Sequence, residues 1–136
     1  MKRIHNPGRA FYVVCALLFI NSFSALLTGG WTIWQSCNVN CQVWGGYLVI
    51  WGVVGLSSGV FLLRKYQWAI WSGSLFFLLQ TIGLVTTEFY YLPYLLLDLH
   101  IKISSGNSMV SFNLLAIAAI MVLISVFVRE AQSESE

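Results

Sequence analysis

Charged residues are missing from three long stretches of this chain. No Asp, Glu, Lys or Arg occurs between Arg9 and Arg64, between Lys65 and Glu88, or between Lys102 and Arg129. Because a bilayer core about 30 Å thick is crossed by roughly 20 apolar helical residues, the first stretch has room for two crossings and each of the others for one. The pattern predicts four membrane spans, at about 11–33, 44–63, 67–87 and 108–128.

A polar segment divides the first stretch into its two spans. This segment contains Gln35, Ser36, Asn38, Asn40 and Gln42. Polar side chains of this kind are costly to leave without hydrogen-bond partners in hydrocarbon. We therefore expect an outer loop here. The composition agrees with a membrane protein, since 58% of the residues are hydrophobic and only 9% are charged, against about 25% charged residues in a typical soluble domain.

The basic residues predict the orientation. An even number of crossings puts both termini on one side, and six of the seven basic residues would lie there, with Lys102 alone opposite. By the positive-inside rule that side is cytoplasmic. We expect an all-α integral protein of a bacterial inner membrane, an antiparallel four-helix bundle with two small outer loops. It forms one domain, 1–129, followed by a short polar tail, 130–136.

The first span could instead be a cleaved secretory signal. It has a basic start, an apolar stretch from Phe11 to Ile20 and the sequence SFSA as a possible cleavage site. The apolar run continues through Leu27, beyond that site, which favours an uncleaved span.

The second outer loop, 88–107, combines aromatic residues with an alternating pattern. Its tyrosines suit the interfacial belt of a membrane protein. Polar and apolar residues then alternate up to Ser104, and this period of two predicts a short strand with one apolar face, with an interfacial helix as the alternative. Such a strand needs a pairing partner, either the first loop or another chain. The expected interaction surface consists of Tyr90, Tyr91, Tyr94, Asp98, His100 and Lys102.

Small and polar residues form stripes within the predicted spans. Span two carries three glycines on one face, which let another helix approach closely: Gly52, Gly55 and Gly59. We expect that helix to belong to the same bundle, with contact between identical chains as the alternative. Amide side chains in a membrane need partners, so we expect interhelical hydrogen bonds from Asn21, Gln80 and Asn113.

The same amide side chains could line a polar pathway for a small solute or ion. Coupled transporters usually depend on an ionisable group within the membrane, and Cys15 is the one such residue in the predicted spans. Four-helix multidrug exporters of similar length rely on an embedded glutamate, which these spans lack. Packing is therefore the favoured role for Asn21 and Gln80.

Cys37 and Cys41 lie four residues apart in the first outer loop. On the oxidising side of a bacterial inner membrane two nearby thiols are expected to form a disulfide, which would restrict the unfolded chain by roughly 2 kcal/mol. A metal site that also uses Asp98 and His100 is a weaker alternative, because the other histidine, His5, is expected on the opposite side of the membrane.

In architecture the chain resembles quinone-linked disulfide-forming enzymes and their vitamin K reductase relatives, which are small four-helix bundles with cysteines on the oxidising side. Those enzymes use a CxxC pair and a second cysteine pair that passes electrons onward. Here the spacing is CxxxC, the second outer loop has no cysteine, and Cys15 lies about midway through span one. These departures favour a structural disulfide over a thiol oxidoreductase.

No nucleophile–base set, phosphate-binding glycine loop, cofactor fingerprint or nucleic-acid motif is visible in the sequence. We therefore expect a non-enzymatic protein without cofactor, metal or nucleic acid, whose partners are the lipid bilayer and either another protein or further copies of itself. An immunity or accessory protein for a membrane-acting partner is one concrete form. The alternatives are an oligomeric channel or transporter subunit and, less favoured, a membrane thiol–disulfide oxidoreductase.

Overall fold

Four helices and a four-stranded sheet make up the fold in the computed structural model, which describes residues 3–5, 7–35, 39–85, 90–91 and 99–133. In chain order the elements are α1 (Gly8–Trp34), α2 (Val39–Leu63), α3 (Trp68–Thr81), β1 (Ile82–Val85), β2 (Tyr90–Tyr91), β3 (His100–Ser105), β4 (Ser108–Asn113) and α4 (Leu114–Ser133). Among the described residues, three helices are long and apolar enough to cross a membrane: α1, Gln42–Leu63 of α2, and Leu114–Gln132 of α4. The predicted number of helices is confirmed.

The sheet departs from the all-α prediction, and two of the predicted spans are helical over a shorter range than predicted. Span three, predicted at 67–87, is helical only as far as Thr81, where Ile82 takes up extended backbone with φ −120° and ψ 125°. Span four, predicted to begin at residue 108, begins as a helix at Leu114. Apolar and β-branched residues suit either a buried helix or a strand, and the pairing of 82–85 with 109–112 decides for the strand.

The sheet has the order β2-β1-β4-β3 with antiparallel pairing throughout. β1 continues directly from α3 and β4 leads directly into α4, so the two central strands extend two helices. The hairpin of β3 and β4 turns at Gly106, whose φ of 58° suits the first turn position of a type II′ turn. The short strand predicted in the second outer loop is confirmed, but it pairs with β4, which the sequence pattern assigns to span four.

Large apolar side chains from all four helices meet in one core. At one level they surround Gly73 of α3: a methyl group there would lie 3.2 Å from Cδ1 of Leu62, 3.5 Å from Cδ1 of Leu123 and 3.9 Å from Cδ2 of Leu18. Phe76 fills the following turn of α3 and is fully buried. α1 packs mainly on α2, and α3 packs about equally on α2 and α4.

Residues 3–5 dock against the end of the bundle that carries the start of α1 and the last turns of α4, called the terminal end below. Ile4 N donates to Lys65 O at 2.7 Å, which ties the N-terminal residues to the turn between α2 and α3. His5 N donates to Oε1 of Glu130 on α4 at 3.0 Å. The opposite end of the bundle carries the sheet and is called the sheet end.

The last turns of α4 differ from the prediction. The helix continues through Ser133, past residue 130, where a polar tail is predicted to begin. Glu130 is buried rather than solvated, and its carboxylate accepts the hydrogen bond from His5. The sequence pattern misses this contact because a carboxylate beside a charged tail is usually exposed.

Candidate functional site: the sheet end

The outermost described strand of the sheet on the β4 side is β3. All its side chains from 101 to 105 are exposed, and no strand lies beyond it among the described residues. An edge strand presents a row of backbone N–H and C=O groups that can pair with another chain. The geometry of the ladder shows which residues of β3 present them.

The backbone groups of Lys102 and Ser104 point away from the sheet. Just before β3, Leu114 N donates to Leu99 O at 2.8 Å, and these two residues stand opposite each other in the same register as β3 and β4. In an antiparallel ladder, opposite residues alternate between hydrogen-bonded and non-bonded pairs. Residues 101 and 103 therefore bond towards β4, whereas 102 and 104 direct their N–H and C=O groups outward.

The two faces of the sheet differ in polarity. Residues paired in register share a face. One face carries mainly apolar residues, Ile82, Ile101, Ile103, Val110 and Phe112, with Ser105 and Ser108 next to the turn, and the other carries mainly polar residues, Lys102, Ser104, Ser111 and Asn113, with Met109 among them. Ser111 and Asn113 of β4 are fully buried, whereas each isoleucine is more than half exposed. β4 thus turns its polar face towards the protein, and the apolar face of the sheet is turned outward.

Part of the predicted interaction surface lies in this sheet. Tyr90 and Tyr91 form β2, His100 begins β3, and Lys102 is exposed within β3. Tyr94 and Asp98 lie outside the described residues, and so do the side chains of Tyr90, Tyr91 and His100. A functional row of Asp98, His100 and Lys102 stays a prediction.

Asn113 has a local role that differs from the predicted interhelical one. Its Oδ1 accepts hydrogen bonds from the backbone N–H groups of Leu115 at 3.0 Å and Ala116 at 3.2 Å. This is the N-cap of α4, which satisfies two N–H groups that have no partner within the helix. An asparagine directly before an apolar run is a sequence signal for a helix start. The predicted start of span four at residue 108 places Asn113 inside the helix, so the prediction misses this signal.

Asn21 of α1 and Gln80 of α3 are both buried. Their side-chain carbonyl oxygens have no hydrogen-bond partner among the described residues, and neither do the hydroxyl oxygens of Ser22, Ser74 and Ser111. A hydrogen bond of the predicted interhelical kind instead joins Ser58 Oγ of α2 to Ser72 Oγ of α3 at 2.9 Å. Serine carries no clear sequence signal for this role, because its hydroxyl also bonds its own helix, as Ser58 Oγ does with Val54 O.

The glycine stripe of α2 faces the inside of the bundle. A methyl group on Gly55 would overlap Ser22 Oγ and lie 2.5 Å from Cε2 of Phe76, and the other two glycines face side chains of α1; the stripe is Gly52, Gly55 and Gly59. Gly29 and Gly45 extend this close contact of α1 with α2, because a methyl group on Gly29 would lie 2.7 Å from Gly45 O. Sequence reasoning misses that pair, since both glycines lie near the expected loop.

The cysteine prediction falls largely on residues that are not described. Cys37 lies outside the described residues, and Cys41 belongs to the first turn of α2 without a described side chain. The disulfide therefore stays a prediction. Cys15 is a free, buried cysteine of α1. Within the described part of the chain, no group of three or more His, Cys, Asp or Glu side chains could hold a metal ion.

Comparison with known proteins found no match, whether with family models, with curated proteins or with solved structures.

Proposed function

We propose that this protein is a non-enzymatic membrane protein that binds a protein partner along β3, at the outer face of a bacterial inner membrane. The observation that carries the proposal is the edge of β3, where Lys102 and Ser104 direct backbone N–H and C=O groups away from the sheet. An immunity or accessory protein for a membrane-acting partner is the form of function that fits this surface best.

The distribution of basic residues supports the proposed orientation. The described basic residues of the terminal end belong to the N-terminal residues, the start of α1, the turn between α2 and α3, and the last turns of α4; they are Arg3, Arg9, Arg64, Lys65 and Arg129. Lys102 is the basic residue of the sheet. The positive-inside rule then makes the terminal end cytoplasmic and the sheet end external.

The chemistry of the edge favours a partner different from this chain. A partner segment that adds a strand to β3 gains main-chain hydrogen bonds, and side chains at alternate positions supply specificity. Two copies of β3 paired antiparallel would bring their Lys102 side chains close together, and like charges across strands are destabilising. A carboxylate in the partner strand would pair with Lys102 instead, so we expect an extended partner segment that carries an acidic residue.

Ser104→Pro should strongly reduce capture of the partner while the bundle stays folded. Proline removes the outward N–H of residue 104, and edge strands tolerate proline where the N–H faces away from the sheet. We expect recovery of the partner to fall about tenfold or more, since a backbone hydrogen-bonding group left unpaired in an interface costs about 1–3 kcal/mol. The measurement is quantitative mass spectrometry of proteins that copurify with the tagged full chain in mild detergent.

Ser104→Ala is the matched control, because it removes the hydroxyl and keeps the backbone N–H. A partner bound along the edge is retained by the alanine variant and lost from the proline variant. Equal retention by the two variants would show that the partner binds elsewhere. A clean homo-oligomer without any partner, recovered from the native membrane, would contradict the proposal as a whole.

A second candidate function, an oligomeric channel or transporter subunit, is favoured by the buried oxygens of Asn21 and Gln80. Buried oxygens without a protein partner are the groups that water or a polar solute can satisfy. On this hypothesis Asn21→Leu and Gln80→Leu each lower solute or ion flux into vesicles that contain the protein, and Phe23→Leu, at an exposed position of α1, does not. Flux that both interior variants leave unchanged would end this hypothesis.

A further inference from the structure

α3 is too short to cross a bilayer by itself. Its 14 residues extend about 21 Å at 1.5 Å per residue, against a hydrocarbon thickness of about 30 Å. The part of α4 that precedes the charged Arg129 runs from Leu114 to Val128 and extends about 22 Å. α4 approaches the full thickness only when its charged last turn, from Arg129 to Gln132, is included. The uncharged parts of the two helices that carry the sheet therefore fall short of the hydrocarbon thickness, by about 9 Å for α3 and about 8 Å for α4.

α1 shows at what depth the sheet begins. Leu18 and Gly73 lie at the same level of the core. From that level α1 continues to Trp34, about 24 Å, whereas α3 continues only to Thr81, about 12 Å. The first residues of β1 thus lie at about the same depth as residues 26–30 of α1, where that helix carries no charged residue.

An exposed apolar stripe runs from α3 into the sheet without interruption. Its helical members recur at intervals of four and three residues and continue to the first residue of β1; they are Trp71, Leu75, Leu78 and Ile82, all at least half exposed. The register then places Ile101 on the same face as Ile82, through Phe112 of β4. The exposed apolar surface of α3 therefore continues onto the apolar face of the sheet.

We propose that the apolar face of the sheet is inserted into the bilayer leaflet at the sheet end, so that β1 and β4 complete the crossings that α3 and α4 begin. Three strand residues at about 3.4 Å each supply the missing 8–9 Å. The polarity of the sheet is the reverse of a water-exposed sheet: the buried face of β4 carries Ser111 and Asn113, and the exposed face carries isoleucines. Apolar-out and polar-in alternation is the pattern of strands that face lipid.

The backbone of the inserted strands is also suited to this environment. Hydrocarbon requires every backbone N–H and C=O group to be paired within the protein. β1 and β4, the strands that continue from the helices, are paired with each other from Ile82 to Val85, and β4 is paired with β3 over its whole length. The occupant of this face is therefore lipid. The outward N–H and C=O groups of Lys102 and Ser104 have no partner strand among the described residues, so the edge of β3 must lie at the interface, where water or a partner segment can pair them.

The test places a fluorescent amino acid, dansylalanine, singly at neighbouring positions of β3 in the full chain. Ile101 and Ile103 probe the apolar face, Lys102 and Ser104 probe the polar face, and Leu78 on α3 is the reference for a lipid-facing site. Each variant is reconstituted in vesicles of phosphatidylcholine and phosphatidylglycerol. Quenching is then measured with nitroxide-labelled lipid and, separately, with iodide in the water.

We expect blue-shifted emission and several-fold stronger quenching by labelled lipid at 101 and 103, close to the behaviour of Leu78, and stronger quenching by iodide at 102 and 104. Strong iodide quenching at all four β3 positions would show that the sheet stands in water and would overturn the proposal. Protection from both quenchers at 101 and 103 would also overturn it, because protein rather than lipid would then cover the face. Four positions on one strand keep the result readable if one variant fails to fold.

Discussion

Gly55→Ala should lower the free energy of unfolding of the bundle by about 2 kcal/mol. A methyl group on Gly55 would overlap Ser22 Oγ of α1 and lie 2.5 Å from Cε2 of Phe76 on α3. Both neighbours are fully buried, so neither can move aside into lipid or water. Overpacking typically costs about 1–3 kcal/mol, and because Gly55→Ala causes two overlaps at once we expect a cost near the upper end of that range. Alanine has a better helix propensity than glycine, which offsets up to about 1 kcal/mol of this cost.

The measurement is reversible unfolding in mixed detergent micelles, followed by far-ultraviolet circular dichroism. Gly46→Ala is the matched control on the same helix, because a methyl group there would have no neighbour within 4 Å. It should leave the unfolding free energy unchanged or slightly higher. The double variant Ser22→Ala with Gly55→Ala should recover part of the loss, since it removes one of the two overlaps. Equal stability of the Gly46→Ala and Gly55→Ala variants would mean that α1 and α2 do not approach as closely as described.

Ile4→Ala should lower the unfolding free energy by about 2–3 kcal/mol and release residues 3–5 from the terminal end. The Ile4 side chain is 1% exposed within the core cluster, and removing buried methyl groups of isoleucine costs about 2–5 kcal/mol. We expect the lower half of that range, because residues 3–5 lie outside the helices and can detach from the bundle instead of leaving a cavity. The hydrogen bonds of Ile4 N to Lys65 O and of His5 N to Glu130 would be lost together with the contact.

Hydrogen–deuterium exchange of the N-terminal peptide reads out this release directly. The amides of Ile4 and His5 should exchange slowly in the natural protein and rapidly in the Ile4→Ala variant. Ile20→Ala removes the same atoms from an exposed position of α1 and should leave the exchange unchanged. Rapid exchange of these amides in the natural protein would contradict the docking of residues 3–5.

The sequence predicts the number of helices correctly but not where two of them meet the sheet. Charge-free stretches indicate what can enter a membrane, and residues 82–85 and 108–113 are as free of charge as the helices beside them. Hydropathy therefore does not distinguish a strand from a helix in these segments. The capping signal of Asn113 does mark the start of α4, and it would have moved the predicted boundary from residue 108 to 114.

The candidate site is predictable in part. Alternation of polar and apolar residues around Lys102 indicates a strand with one apolar face, and the structure contains it as β3. Its partner strand is not predictable from the same pattern, because Ser108–Asn113 reads as the start of a membrane span. The register determines which backbone groups of β3 point outward. A shift of one residue would turn the outward backbone groups inward and would move each side chain to the other face of the sheet.

The sequence by itself determined that the chain has stretches apolar enough to cross a membrane, that the described residues form four helices, and that a strand lies between the last two. These properties follow from charge spacing and periodicity, which act locally along the chain. Only the tertiary structure decided that α3 ends at Thr81 in a sheet, that Gly29 and Gly45 belong to the same close contact as the α2 stripe, and that Glu130 is buried against His5. Each of these features depends on a contact with a segment distant in sequence, and the local residue pattern does not indicate which segment that is.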